Sequence, residues 1–311
     1  MENRILGLHH ITAIAGEAQR NFDFYTKVLG LRLVKKTVNF DDPGTYHFYF
    51  GNEVGTPGTI LTFFPWEGIQ KGKTGTGMAT EIGYAVPKDS LPFWQDRFAK
   101  QGVKQSAIAE RFGERHLLFE DRDGLQLTLI ETATDDRQPW TTSDVSADVA
   151  LKGFHSVVLT VQNSAPTTKV LTDILGYQLQ QEDGNRFRFA TDAINTANIV
   201  DLVERPGGQR GINAGGTNHH VAFRVKNDNI LMDVREKVRS AGLNITEKID
   251  RNYFYSLYFR EPGGVLFELA SDNPGFATDE TVAELGTHLM LPAQYERNRQ
   301  RIEEVLPVLH A

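Results

Sequence analysis

The sequence predicts an α+β fold built from one βαβββ unit repeated four times in tandem. Three observations carry that reading. Four amphipathic segments each end in glycine plus a hydrophobic residue, at Gly30-Leu31, Gly102-Val103, Gly176-Tyr177 and Gly242-Leu243. Those glycines recur about seventy residues apart, a longer period than a solenoid repeat. An apolar strand-like run precedes each segment, and three more follow it.

Unit one opens with LHHITAI over 8–14. Its helix is expected over 17–29, a later strand is YHFYF over 46–50, and GTILTFF from Gly58 closes it. Unit two opens with TEIGYAV from Thr80 and closes with GLQLTLI from Gly124. Its helix is expected over 90–101, with Leu91, Trp94 and Phe98 at helical spacing. Unit three runs from FHSVVLTV at Phe154 to NIVDLVE at Asn198. Val170, Leu171, Ile174 and Leu175 give the apolar stripe of its helix over 165–175. Unit four opens with HHVAFRV from His219, and its helix is expected over 229–241. YSLYF over 255–259 and GGVLFEL from Gly263 complete it. Glycine after each helix suits the left-handed position that ends a helix. Of the linkers, 65–77 is rich in glycine and lysine, while 132–150 is polar and reads as mobile. The second is the better boundary. It divides the chain into halves at 1–135 and 151–275, with a tail over 276–311.

Composition narrows the chemistry. With 311 residues, 40% hydrophobic and 23% charged, the chain can bury a sizeable core as one large domain or two ordinary ones. A net charge of -7 argues against nucleic acid as a partner. No apolar run is long enough to span a bilayer, and MENRILGLHH lacks a signal pattern. A cytoplasmic protein with no membrane partner is therefore expected. The absence of cysteine excludes disulfides, thiolate metal sites and a cysteine nucleophile. A metal would need nitrogen and oxygen ligands.

One residue demands such a ligand set. Glu268 lies inside the apolar run VLFEL, where a carboxylate is costly unless it is paired or bound to a cation. Two strands open on doubled histidines, His9-His10 and His219-His220. His10, His220 and Glu268 make up two imidazoles and a carboxylate, the ligand set of a non-haem iron(II) oxygenase. Taken singly, each residue has a plainer reading. His10 alone reads as a buried histidine bonded to backbone, Arg251 as a surface charge and Tyr258 as core. Phe63, Phe64 and Trp66 read first as packing and second as the lining of a substrate funnel.

The four βαβββ units, the HH strands and the PGG turn before Glu268 resemble the vicinal-oxygen-chelate superfamily. It includes glyoxalase I, the extradiol dioxygenases and the fosfomycin- and bleomycin-resistance proteins. That resemblance implies that units pair into two half-open barrels, with metal ligands on the first and last strands of each unit. The first-strand positions are then His10, Glu81, His155 and His220, and the last-strand positions Thr62, Thr128, Asp201 and Glu268. Two sites follow. One joins His10, His220 and Glu268, with Thr62 as the position that does not bind. The other joins Glu81, His155 and Asp201, with Thr128. The second is expected to be a hydrogen-bonded pocket without metal.

The chain also resembles one branch of that superfamily, the ring-cleaving dioxygenases acting on hydroquinones. The motifs are HHIT at the start, YHFYFG.E.GTPGT over 46–59, DR.YF..LYFREPGGVLFE over 250–268 and GFATDE over 275–280. The resemblance implies Fe(II), with Mn(II) as the alternative, on His10, His220 and Glu268. It implies supporting roles for His9, Thr12, His219, Arg251 and Tyr258. The reaction implied is extradiol-type opening of an aromatic diol with O2, in aromatic catabolism or hydroquinone detoxification. A homo-oligomer is the general expectation for a protein of this kind, apart from the resemblance. His219 and His9 are the acid–base candidates. Tyr258 and Arg251 are candidate donors to substrate oxygens. Thr12, two residues beyond His10 on the same strand face, is a candidate for orienting a ligand or a bound oxygen.

His10 and Glu268 share a metal only if unit one pairs with unit four. The catechol-cleaving relatives place it between units three and four, so a rival assignment replaces His10 with His155. Two other functions share the fold: a glyoxalase-like metal-dependent isomerase or transferase, which needs no O2, and a non-catalytic protein that binds a small aromatic. Fold alone does not choose among them.

Overall fold

Each expected repeat folds as one βαβββ unit in a computed structural model that describes residues 4–310. Unit one comprises β1 (Leu8–Ala15), α1 (Ala18–Asp23), β2 (Arg32–Asn39), β3 (Asp42–Gly51) and β4 (Ile60–Pro65). Unit two comprises β5 (Met78–Pro87), α2 (Leu91–Lys100), β6 (Ala109–Arg111), β7 (Glu114–Glu120) and β8 (Gln126–Thr132). Unit three comprises β9 (Gly153–Val161), α3 (Ser164–Lys169), β10 (Gln178–Asp183), β11 (Arg186–Ala190) and β12 (Ile199–Glu204). Unit four comprises β13 (Thr217–Val225), α4 (Asp228–Ser240), β14 (Ile249–Asp250), β15 (Phe254–Arg260) and β16 (Leu266–Pro274).

The helices end where the glycines stand. Gly30, Gly102, Gly176 and Gly242 have φ of 70°, 63°, 75° and 79°, which side chains rarely adopt. Units one and three differ from the simple expectation. Their helices widen into a π turn, Phe24–Val28 and Val170–Ile174, closed by Leu29 N–H to Phe24 O and Leu175 N–H to Val170 O. The α2 stripe of Leu91, Trp94 and Phe98 is fully buried. Burying Phe98 alone contributes about 1.5–3 kcal/mol.

The strands form two curled half-barrel sheets of eight. One runs β14-β15-β16-β13-β1-β4-β3-β2, and the other β10-β11-β12-β9-β5-β8-β7-β6. Unit one therefore pairs with unit four, through antiparallel β1 and β13. Unit two pairs with unit three, through antiparallel β5 and β9. The two ends of the chain thus meet in one sheet.

The linker over 132–150 departs from its polar, mobile-looking composition. Val145 is fully buried, and a Cβ at Gly30 would lie 3.0 Å from it. Trp94 Nε1 donates to Val149 O at 2.8 Å. Arg137 donates to Gly58 O at 3.0 Å and to Phe154 O at 2.8 Å. A few anchors hold a segment that is otherwise hydrophilic.

The tail folds back on unit one. Lys35 of β2 is fully buried and pairs with Asp279 at 2.6 Å and with Glu280. Tyr295 donates to Phe40 O at 2.6 Å, and α5 (Arg299–Val305) buries Ile302. Among the described residues no helix is long and apolar enough to cross a membrane.

Candidate metal centre

The doubled histidines sit at two β-bulges on the seam between β1 and β13. Leu8 opposes Phe223 and His10 opposes Ala222, so His9 is the extra residue on β1. Thr12 opposes His220 and Ala13 opposes Asn218, so His219 is the extra residue on β13. A bulge breaks the alternation of a strand and re-aims side chains. Consecutive rings can then meet: His9 Nδ1 lies 2.9 Å from His10 Nδ1, and His219 Nδ1 lies 2.8 Å from His220 Nδ1. The inner ring of each pair turns its Nε2 the other way, toward Glu268.

Glu268 enters from β16, where it opposes Ala222 of β13. Its Oε2 lies 2.8 Å from His220 Nε2 and 3.3 Å from His10 Nε2. Ser256 of β15 donates to its other oxygen. Carboxylate and rings are buried, with Glu268 at 0% exposure. The three ligand atoms lie within 4.8 Å of one another. Although His220 Nε2 and Glu268 Oε2 are close, neither completes a hydrogen bond to any partner, so both are orphaned buried polar atoms. Such groups are expensive in a protein interior. Two imidazole nitrogens and a carboxylate oxygen converging on one point fit a divalent cation with nitrogen and oxygen preferences.

The electrostatics agree. Burial penalises the Glu268 carboxylate, but the adjoining imidazoles outweigh that and hold it well below the usual range. Burial lowers His220, so its ring lone pair stays free. Burial is also the main reason that His219 is pushed down to about 3 and that His9 and His47 fall well below 6.5.

A cavity of about 340 Å³ opens over His10 and His220, walled by Phe64, Trp66, Phe254, Arg251 and Tyr258. Burial raises the Tyr258 phenol above its ordinary value, so it stays protonated. The Arg251 guanidinium stands 5.4 Å from the Tyr258 ring centre and 3.8 Å from Asp41. Thr12 and His219 share the wall. His9 does not. It packs behind His10, 5.2 Å from the Phe254 ring centre. Phe63 is core, whereas its neighbours Phe64 and Trp66 face the cavity.

Among the cavity residues that escape a strand-by-strand reading are His47, Tyr49 and Phe254. The signal for His47 was present, as a polar ring inside the aromatic run YHFYF.

The second set is closed off. On the seam between β5 and β9, Gly83 opposes Ser156 and Tyr84 opposes Phe154, so His155 is an extra bulge residue, the counterpart of His9 and His219. The assignment of His155 to the ligand position is therefore corrected to Ser156. His155 Nε2 meets Glu114 at 3.0 Å, in the opposite sheet from Glu268, which removes the rival in which His155 replaces His10. Arg188 grips Asp201 through two bonds of 2.8 and 3.0 Å. Glu81 takes Arg111 at 2.9 Å and Thr128 at 2.7 Å. The space left there is about 10 Å³. Among the described residues, His10, His220 and Glu268 are the one group of three His or acidic side chains placed to share a metal.

Comparison with known proteins agrees with this architecture. Residues 7–129 and 153–269 match the model of the Glyoxalase/Bleomycin resistance protein/Dioxygenase superfamily. A Bacillus subtilis protein named "Putative ring-cleaving dioxygenase MhqO" is 46% identical over 98% of this chain and 97% of its own. The chlorohydroquinone/hydroquinone 1,2-dioxygenase of Sphingobium indicum is 37% identical over 95% of this chain and 94% of its own. A crystal structure from Bacillus subtilis, named a dioxygenase with the same qualifier as MhqO, superposes with a TM-score of 0.95 at 45% identity. It covers 99% of this chain and 98% of that one. Glyoxalase I of maize shares the fold, with a TM-score of 0.64 at 17% identity over 86% of this chain and 92% of its own.

Proposed function

The chain belongs to the glyoxalase/bleomycin resistance protein/dioxygenase superfamily, and from that premise we propose that it is an Fe(II)-dependent dioxygenase opening the ring of a hydroquinone-type aromatic diol with O2. One observation carries the reading: His10, His220 and Glu268 converge, with His220 Nε2 and Glu268 Oε2 orphaned, where His10 and His220 line an aromatic-walled cavity. The full-length relatives named as ring-cleaving and hydroquinone dioxygenases support the substrate class. His10, His220 and Glu268 would hold the iron, and the same set accepts Mn(II). When bound, the metal supplies Lewis acidity for a diol oxygen and a redox path between the diol and O2.

The protein does the rest. Phe64, Trp66 and Phe254 bury the faces of an aromatic ring and exclude water. His9 and His219 accept from the Nδ1–H of His10 and His220, which fixes both inner rings with Nε2 free. This narrows the acid–base role. With Nδ1 so engaged, neutral His219 presents Nε2–H to the cavity, a donor to a substrate oxygen. His9, behind the wall, acts through His10 alone. Tyr258 and Arg251 supply two further fixed donors for the oxygens of the diol. The halves 1–135 and 151–275 are read as two glyoxalase-like domains, with 276–311 as the tail.

The test is stoichiometric. Protein reconstituted with Fe(II) under argon and given hydroquinone should consume one O2 per diol and yield a ring-opened product. Turnover of a substrate without O2 uptake, supported by zinc or nickel, would replace this reading with the isomerase.

A further inference from the structure

A chain of four side chains runs beneath the cavity. Tyr49 Oη lies 2.9 Å from His47 Nδ1, and His47 Nε2 lies 2.9 Å from Thr62 Oγ1. Thr62 Oγ1 lies 2.8 Å from Thr12 Oγ1. Thr62 occupies on β4 the position that Glu268 occupies on β16: it opposes the residue two beyond the first-strand position. Where one unit offers a carboxylate, the other offers a hydroxyl that links two neighbours.

A neutral imidazole has one N–H and one lone pair, so hydrogen bonds at both its nitrogens run in one direction. The direction here is set by the phenol. A phenol oxygen shares its lone pairs with the ring, so it donates well and accepts poorly, whereas the unprotonated imidazole nitrogen accepts well. Tyr49 therefore donates to His47 Nδ1, His47 Nε2–H donates to Thr62, and the Thr62 hydroxyl donates to Thr12. Thr12 has then accepted, and its own proton is left over. Thr12 is fully buried and lines the cavity, two residues from His10.

We propose that Tyr49 and His47 are positioning residues: they polarise this chain so that Thr12 presents its O–H into the cavity, as a fixed donor to an anionic oxygen held beside His10. The identity of that oxygen, from the diol or from O2, rests on the dioxygenase reading; the polarity of the chain does not. A donor locked in place before its acceptor arrives needs no reorganisation when charge develops on that oxygen.

The decisive measurement is histidine 15N NMR on the full chain loaded with diamagnetic zinc, with His47 assigned by comparison with His47→Asn. The expected result is an unprotonated Nδ1 and a protonated Nε2. Tyr49→Phe, which keeps the ring packing, should shift both His47 nitrogens, while Thr12→Val should leave the tautomer unchanged. A His47 protonated on Nδ1 would overturn the proposal, whether or not the protein opens any diol. With iron and hydroquinone, Tyr49→Phe and Thr12→Val should each lower kcat/KM about tenfold, and the double variant should be no worse. Additive losses would mean that the two act independently and would also overturn it. A rise in KM for the diol alone assigns the oxygen to the diol, and a rise for O2 alone assigns it to O2.

Discussion

In the β1–β13 sheet, His10, His220 and Glu268 meet one another. At the matching positions of the β5–β9 sheet, Glu81 and Asp201 each meet an arginine. The scaffolds are alike down to the paired bulges on each seam. What differs comes from the neighbouring hairpins. Arg111 on β6 and Arg188 on β11 place guanidinium groups where a cation would sit, and the space closes to about 10 Å³. On the other side the hairpins put neutral Ser256 on Glu268 and neutral Tyr258, His47 and Tyr49 on the cavity wall. Their guanidinium, Arg251, stands against Asp41 and the Tyr258 ring, and about 340 Å³ stays open. A guanidinium is always charged and cannot dissociate. In one half-barrel the carboxylates are thus bonded to built-in guanidinium cations, and in the other the carboxylate faces two imidazoles. Two carboxylates on the right strands do not make a metal site when an arginine already satisfies them.

The largest expected effect separates the halves outright. Glu268→Ala should reduce bound iron to background by elemental analysis. The second barrel, with Glu81 and Asp201 intact, should not compensate. Next comes stability. Arg188→Met removes both hydrogen bonds to the buried Asp201 carboxylate, leaving it only Arg186 at 3.7 Å, and should cost about 3 kcal/mol in urea unfolding, with iron still bound per folded chain. A loss of iron in this variant without a loss of stability would break the contrast. His219→Ala should weaken metal affinity about 10- to 100-fold by removing the acceptor that fixes the His220 ring. Its bulge counterpart, His155→Ala, should leave metal affinity unchanged.

The smallest effect is a pH dependence confined to the second barrel. Burial would raise the Glu114 carboxyl, but His155 and Arg188 outweigh it and pull it from 4.5 to about 2. A carboxyl depressed in the folded state contributes stability that is fully present above about pH 4.5 and is lost as pH falls toward 2. Glu114→Gln should therefore flatten the acid limb of the stability curve in that window. An unchanged acid limb would show that the His155–Glu114–Arg188 cluster is not what acid disrupts.

The repeat and the His10, His220 and Glu268 set were legible because each is a local pattern: glycine after a helix, a doubled histidine, a carboxylate among apolar residues. The pairing of units one and four followed once His10 and Glu268 were taken to share a cation. The bulges were not legible. A one-residue slip in register exchanges the faces of a strand, and HS in FHSVV reads the same whichever residue is extra. That is why His155 stood one place out of register. Nor could Arg188 or Arg111 be read as the partners of Asp201 and Glu81, because cross-strand contacts depend on register that only the folded sheet fixes. His47 and Tyr49 were hidden in the same way, inside an aromatic run that reads as core.

The most direct test is oxygen uptake with hydroquinone by three iron-reconstituted proteins: the parent chain, His10→Ala and His155→Ala. The account predicts uptake by the parent and by His155→Ala, and none by His10→Ala. Uptake that survives in His10→Ala but fails in His155→Ala would place the chemistry in the other sheet and contradict it.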